Sequence, residues 1–518
     1  MTTPRVLIIG GGAVGALLAC DLLSQSVPVR VVDARASLTE SDPHSRAVMI
    51  WPRVLELLRK VDLADRLVDR GHPVKDVSFF SSGRHLGAVR LDRMGAAYPF
   101  GLGIVQRELE ELLWARVNEL GGEVEVGVRL AELDVSGPRP LARMLHADGS
   151  IEEARPDWLI GADGAGSTVR EALGIDYPGV PFPLGIALGD FPITGPIRSG
   201  VEYHYSAHGM LPLVHLPGRV ARLATVVLPG EQDWSDRPRA DWQTMVNERT
   251  NRPYTLGEPL WKRTYYPRPG VAERFRRGRV VLVGDAAHSV VPLGGQGLNL
   301  GLQDAFALGW RLSGVLRAEL GEGVLDDYDT ERRLAVEQVR TLIRAEMSLS
   351  AVDTPAQRRR RDAGIRLAHR TGVLRRVIAP LMSQIGLSYA PHKGRLWTSS
   401  LRIKARPGDR LPIFHGHGPR ELAPVLDGGA HVALMWPGAR AGDTWLRHVS
   451  TAENTLKGRV ARVHDLAGLR GANRRRFTRL FGLRPTVALV RPDGHLAYSA
   501  PADQPDLAAA YLPNQTGR

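Results

Sequence analysis

A single cysteine, Cys20, in 518 residues excludes an intramolecular disulfide and any Cys-clustered metal site, and fits a reducing compartment. No apolar run reaches the roughly 18 residues that a membrane helix needs. Met1 leads into a strand-like segment rather than a charged leader with a cleavage site. The expectation is therefore a cytoplasmic protein with no membrane partner. Aromatic residues are sparse, at 6%, although the formal net charge is +13. A basic balance attracts phosphates, but the positive charge is nearly all Arg and is spread along the chain. Its two dense runs, Arg358–Arg361 and Arg474–Arg476, carry none of the interleaved aromatics of a single-strand stacking platform. A solvated Arg-rich surface, with no nucleic-acid partner, is the expected outcome.

What is present is enough apolar residue, 43%, to bury large cores, and a length that suggests two or three domains. The first chemistry lies at the N-terminus, in RVLIIGGGAVGALLACDLL. It reads as a strand over Val6 to Ile9, a turn holding Gly10, Gly12 and Gly15, and a helix through Leu23. The glycines fit G-x-G-x-x-G in the strand–turn–helix setting that a dinucleotide requires. Gly10 serves the tight turn, Gly12 the close approach of a pyrophosphate, and Gly15 the packing of helix on strand. The helix N-terminus, at Ala13, presents unpaired N–H groups and a favourable dipole to the phosphates. A second strand, VRVVDA, ends at Asp33-Ala34, about 20 residues beyond the turn, where a carboxylate would hold the adenosine ribose.

NAD and FAD share that fingerprint, and two later elements favour FAD. PDWLIGADGAGSTVREALGI (156–175) is a strand, the pair Asp163-Gly164, a small-residue turn and a helix containing Arg170. Residues 280–308 give a strand over Val280 to Val283, then Gly284-Asp285, a loop with Pro292 and several glycines, and a helix from about Leu298. A nicotinamide dehydrogenase needs neither. A longer flavin dinucleotide needs separate backbone donors along its ribityl chain and ring.

Together GGGAVG, DWLIGADGAGSTVR and GRVVLVGDAAHSVVPLGGQGLNLGLQDAFALGWRL resemble the class A flavin-dependent aromatic hydroxylases, the single-component FAD monooxygenases. SRAVMIWPRVLELLRKVDLADRL (45–67) and IVQRELEELL (104–113) extend the resemblance almost continuously over the first 345 residues. The C-terminal region, through VRPDGHLAY, resembles the thioredoxin-like domain of the phenol hydroxylase, polyketide hydroxylase and rifampicin monooxygenase branch. The fold implied is α/β, with a Rossmann-like FAD domain from 1–71, 101–177 and 277–345. A substrate-binding β-sheet domain is inserted from 72–100 and 178–276. A helical connector follows over 346–395, then a thioredoxin-like domain over 396–518. That last domain has no C-x-x-C, which excludes a redox role for it.

The resemblance also implies roles. Asp285 would bond the ribityl hydroxyls, with a helix N-cap as the alternative. Asp163 and Gly164 would sit near the pyrophosphate, and Pro292 beside the flavin edge. The backbone of Gly295, Gly297, Leu298 and Asn299 would face the pyrimidine side of the ring, where close approach requires glycine. Arg46 and Gln106 would reach the ribityl or phosphate region, although Arg46 could instead pair with a surface carboxylate. Leu130 is also assigned to the cofactor, and His288 is read as structural. NADPH or NADH would act as transient co-substrate and reduce FAD. O2 would then form a C4a-hydroperoxyflavin whose distal oxygen attacks an electron-rich aromatic carbon. Tyr203, His204, Tyr205, His215, Tyr265 and Tyr266 are available to polarise a phenol, and none is singled out as a base. A flavin halogenase or reductase on the same fold is the alternative, but no W-x-W-x-I-P stretch is found. The substrate is expected to be a phenolic or polycyclic polyketide-like aromatic, and the protein a monomer or homodimer.

Overall fold

The alternation of apolar strands with helices in the first third of the chain produces a parallel sheet, because each crossover helix must cover a strand face. The structure is a computed structural model and describes residues 5–38, 49–94, 96–179, 182, 184–196, 200–350, 352, 354–390, 404–411 and 430–512. Six strands form that sheet in the order Arg276–Arg277, Val280–Leu282, Trp158–Gly161, Val6–Ile9, Val29–Asp33, Val124–Val126. Only the first runs antiparallel to its neighbour. Val6–Ile9 lies at its centre with all four residues buried, as a strand covered on both faces should. The three elements singled out in the sequence thus end side by side at the carboxyl edge of adjacent strands. Gly15 lets the first helix, Ala13–Ser24, sit tight against its own turn, since a methyl there would collide with the Gly10 carbonyl oxygen.

That helix packs on the long helix Gln296–Leu316. Asp21 is buried at the contact, beside Gly309. Burial raises its carboxyl to about 7, so between about pH 4 and pH 7 the folded chain holds a proton that the unfolded chain releases. The sign follows: stability is greatest at acid pH and falls as pH rises through that window. Asp21→Asn, which keeps the acceptor for Gln25 Nε2 at 3.2 Å, is expected to raise Tm at pH 8 by several degrees and leave it almost unchanged at pH 4. Thermal melts at the two pH values check this. Cys20 is fully buried on the same helix, and burial pushes its thiol up to about 12, so it is inert.

A second sheet of eight strands is assembled from two distant stretches. Strands Asp76–Ser81 and Arg84–Arg90 join Val201–Ser206, which continues through Gly209–Leu216, Val220–Val227 and Gly185–Thr194. Thr255–Leu256 and Trp261–Tyr265 pair with that last strand. Period-two alternation divides its residues. Ala187, Phe191, Leu211, Leu213 and Leu223 pack on the helix Arg239–Thr250 with Trp242. Ile186, Leu188, Tyr203, Pro212, Val214 and Ala224 face the opposite way.

Helix Val324–Ser350 runs without a break across residue 345, where the FAD domain is expected to end. No glycine or proline interrupts those 27 residues. The helix Pro355–Arg370, with a capping box at Thr354 and Gln357, and shorter turns to Met382 follow. In the two Arg runs, Arg361 is buried and stacks on Tyr205, and Arg474 lies over Trp436.

The C-terminal sheet has the order Arg462–Asp465, Val432–Trp436, Thr486–Val490, Leu496–Pro501, parallel then twice antiparallel, with three helices between or after its strands. This is the thioredoxin-like arrangement expected. Its Asp493-Gly494 turn is buried against the first body of the chain. Arg491 and Arg311 share Glu331, and Arg53 Nη2 donates to the Asp493 carbonyl at 2.5 Å. Among the described residues, no helix is long and apolar enough to cross a membrane.

Candidate active site

One elongated cavity of about 1120 Å³ joins the parallel sheet to the eight-stranded sheet. Typical ligand sites occupy about 300–1,000 Å³, so there is room for an extended dinucleotide and a second molecule. One end is formed by Gly12, Ala13, Arg35, Gln106, Glu110 and Gly164. The middle is Asp285 and the run Pro292–Leu298. The far end is the apolar face of the sheet, closed by Met347 and Met382 from the helical region.

The cavity fits FAD at its first two parts. A methyl group on Gly12 or Gly164 would meet no protein atom within 4 Å, so a phosphate could approach the backbone there. The helix Ala13–Ser24 begins at that point, and the helix Gln296–Leu316 begins at the middle of the cavity. Two helix N-termini therefore direct partial positive charge at the same space. Gly295, at the cap of the second, has a left-handed φ of 63°.

Of the residues singled out in the sequence, Gly12, Ala13, Gln106, Gly164, Asp285, Pro292, Gly295, Gly297 and Leu298 line the cavity. Gly10, Gly15 and Asn299 stand just behind that surface. Asn299 is fully buried, accepts from Trp51 N at 2.7 Å and donates to Met49 O and Gly295 O, each at 2.8 Å. It fastens the Met49–Trp51 segment to the start of the helix. Asp33 accepts from Gly11 N at 2.8 Å and is gripped by Arg35. Burial opposes its ionisation, but the Arg35 and Gly11 hydrogen bonds prevail and hold it below the usual carboxylate range. Arg35 and Glu110, rather than Asp33, present their side chains to the cavity.

Asp163 lies against the start of the short helix Thr168–Ala172, whose N-cap is Ser167, and accepts from Ser167 Oγ at 2.6 Å and Val169 N at 3.1 Å. Ala34 is exposed beyond the strand end. Leu130 lies in the three-stranded sheet 128–154, buried in the apolar core away from the cavity lining. Arg46 falls outside the described residues.

His288 does not reach the cavity. It is buried and bonded through Nε2 to Asp304 Oδ2 at 2.6 Å. Asp304 also accepts from Gly284 N at 3.0 Å and Arg332 Nε at 2.6 Å. Burial disfavours its charge, yet His288 and Arg332 keep its carboxyl below the usual range. Arg332 in turn donates to Tyr389 Oη at 2.8 Å, and Tyr389 stacks on His495 of the C-terminal hairpin. The loop that carries Asp285 is thus held from behind by a buried ionic cluster.

On the sheet side, Tyr203, Tyr265 and Tyr266 line the cavity, whereas Tyr205 does not. His204 and His215 point to the other face, around the buried Glu202. Arg222 faces the cavity, but Asp190 binds it bidentately at 2.7 Å for each bond. Sequence patterns could not reveal Trp51, Glu110, Arg222 or Asp304, because each is defined by partners distant in the chain.

Residues 3–342 match the family model described as the FAD binding domain. An uncharacterized aromatic compound monooxygenase of Bacillus subtilis is 29% identical, with 97% of this chain and 95% of that protein aligned. A rifampicin monooxygenase of Streptomyces venezuelae is 32% identical over 69% of this chain and 74% of its own. Among solved structures, an aklavinone-11 hydroxylase in complex with FAD and aklavinone superposes with a TM-score of 0.76 at 25% identity, covering 100% of this chain and 99% of that one. With the dinucleotide cradle, the inserted sheet and the joined cavity in place, the chain belongs to the FAD-binding family of flavin-dependent aromatic hydroxylases.

Proposed function

We propose that the protein is an NAD(P)H- and O2-consuming monooxygenase that hydroxylates a phenolic or polycyclic polyketide-like aromatic. The observation that carries this reading is the continuity of the cavity. The cradle of Gly12 and Gly295–Leu298 opens directly onto an apolar wall with three tyrosine side chains. Bound FAD, once reduced, supplies activation of dioxygen for transfer of one oxygen atom to a ring carbon.

The chain's own residues supply the setting. Gly12, Ala13 and Gly164 receive the pyrophosphate, Asp285 the ribityl hydroxyls, and the N–H groups at the start of the helix Gln296–Leu316 the electron-rich edge of the ring. Ile186, Leu188, Val214, Met347 and Met382 exclude water from the reacting region. Among the described residues there is one strand–glycine turn–helix element of the dinucleotide kind. The nicotinamide is therefore a transient visitor rather than a second resident. A monomer or a homodimer is the proposed assembly. Halogenase and reductase readings are disfavoured, since the relatives named above are monooxygenases and a hydroxylase.

Anaerobic stopped-flow mixing of the FAD-loaded protein with NADPH and with NADH tests the electron source. Bleaching of the flavin by at least one of them, accelerated when a phenol or tetracyclic aromatic is present, is expected. Absence of bleaching by both, with aromatic present, would contradict the scheme.

A further inference from the structure

The helix Pro355–Arg370, PAQRRRRDAGIRLAHR, carries six arginines and one acid, Asp362. Its inner side is engaged by the protein. Ile365 packs in the core with Val77 and Leu86, Arg361 stacks on Tyr205 and pairs with Asp362 at 3.0 Å, and His369 Nδ1 accepts from Ala88 N at 3.4 Å. These contacts fix which side of the helix faces out. At 3.6 residues per turn, Arg359, Ala363, Arg366, Leu367 and Arg370 fall opposite Arg361 and Ile365. Arg366 there is half-buried and the other four are exposed. Arg360 flanks them, and Arg375 and Arg376 continue the positive charge past the helix end, all three exposed. None of these six arginines has an ion pair or a hydrogen bond among the described residues. In their midst Leu367 is 62% exposed.

Like charges gathered without acidic partners attract a polyanion, and Leu367 decides which kind. Against a phosphate backbone an apolar side chain contributes nothing, and the helix has no Phe, Tyr or Trp to stack on a base. Against a bilayer the same side chain enters the acyl boundary while the guanidinium groups meet the headgroups. We propose that this helix face is a docking surface for an anionic lipid bilayer. Recognition of that kind uses clusters of about 4–8 Lys or Arg, which the six unpaired arginines supply. The attraction is mainly electrostatic, because Ile365 is spent on the protein core. The protein then lies on a membrane without crossing it, so the lack of a spanning helix among the described residues does not oppose the reading. The helix also belongs to the stretch that closes the cavity, since Ser350 before it and Met382 after it both line the far end.

Co-sedimentation of the FAD-loaded protein with lipid vesicles tests this. Phosphatidylcholine vesicles containing about 30% phosphatidylserine are expected to bind at least about tenfold more tightly than phosphatidylcholine alone at about 0.1 M salt. Raising the salt to about 1 M, where the screening length falls from about 10 Å to about 3 Å, should abolish binding. The triple variant Arg359→Glu, Arg366→Glu, Arg370→Glu should lose at least about tenfold in affinity for the anionic vesicles. A second triple, Arg129→Glu, Arg155→Glu, Arg274→Glu, makes the same change in net charge at exposed positions elsewhere and should lose less than about threefold. Each variant is checked for unchanged FAD content. Equal losses in the two triples would mean that only the overall charge of +13 draws the lipid, and would overturn the proposal. Absence of binding, or equal binding to neutral and anionic vesicles, overturns it too. Leu367→Ser should weaken vesicle binding and leave binding to duplex DNA unchanged. A vesicle affinity untouched by that substitution overturns the lipid reading.

Discussion

Asp304→Ala is expected to be among the most destabilising single substitutions in the chain, costing about 3–5 kcal/mol. Asp304 and Arg332 are both fully buried and meet at 2.6 Å. Such a pair adds little relative to a well-packed apolar one, but removing one member strands the other charge away from water. Here the loss extends further, because the same carboxylate holds His288 and Gly284 N. Thermal unfolding should show Tm lower by roughly 5–10 °C. FAD affinity should fall as well, since the Gly284-Asp285 turn loses its anchor. Asp304→Asn keeps the shape but not the charge and should lie between wild type and alanine. A Tm within about 1 °C of wild type for the alanine variant would mean that the cluster is not the support described.

Gly12→Ala should do the opposite: leave the fold intact and weaken the binding of the cofactor. The backbone at Gly12 has φ −66°, which any residue adopts. The added methyl meets no protein atom and projects into the space assigned to the pyrophosphate. FAD affinity is expected to drop on the order of a hundredfold, equivalent to about 2.7 kcal/mol, with the apoprotein Tm unchanged. Gly15→Ala is the informative contrast. Its methyl would strike the Gly10 carbonyl oxygen, so it should lower the stability of the apoprotein itself. Fluorescence titration with FAD and melts of the apoproteins separate the two. Full FAD retention by Gly12→Ala would place the dinucleotide elsewhere.

The contrast between those glycines shows what the sequence can carry. The N-terminal turn is local: strand, glycines and helix run continuously from Val6 to Ser24, and period and spacing specify them. The sheet face was also legible, because alternation in VEYHYS and RLATVVL separates Tyr203 and Ala224 from His204 and Leu223. Side-chain partnership was not. Asp33 is expected at the ribose by position, and the fold adds its bonds to the neighbouring Arg35 and to the Gly11 amide. Asp163 is expected at the pyrophosphate by motif, and the fold adds what the motif does not carry, its bonds to Ser167 Oγ and Val169 N at the start of the next helix. Glu346 resembles the exposed charges Glu337 and Arg344 nearby on its helix. Only the approach of the Gly294 loop and Tyr203, far away in the chain, shields its carboxyl from solvent.

The central claim is that one cavity brings flavin and aromatic together for oxygen transfer. Its most direct test is the mass of the product formed under isotopically labelled dioxygen. The reaction contains FAD-loaded protein, NADPH and the aromatic that most accelerates flavin reduction. One labelled oxygen atom per molecule of hydroxylated product is the predicted result. Unchanged aromatic, with all the label recovered as hydrogen peroxide, would contradict it.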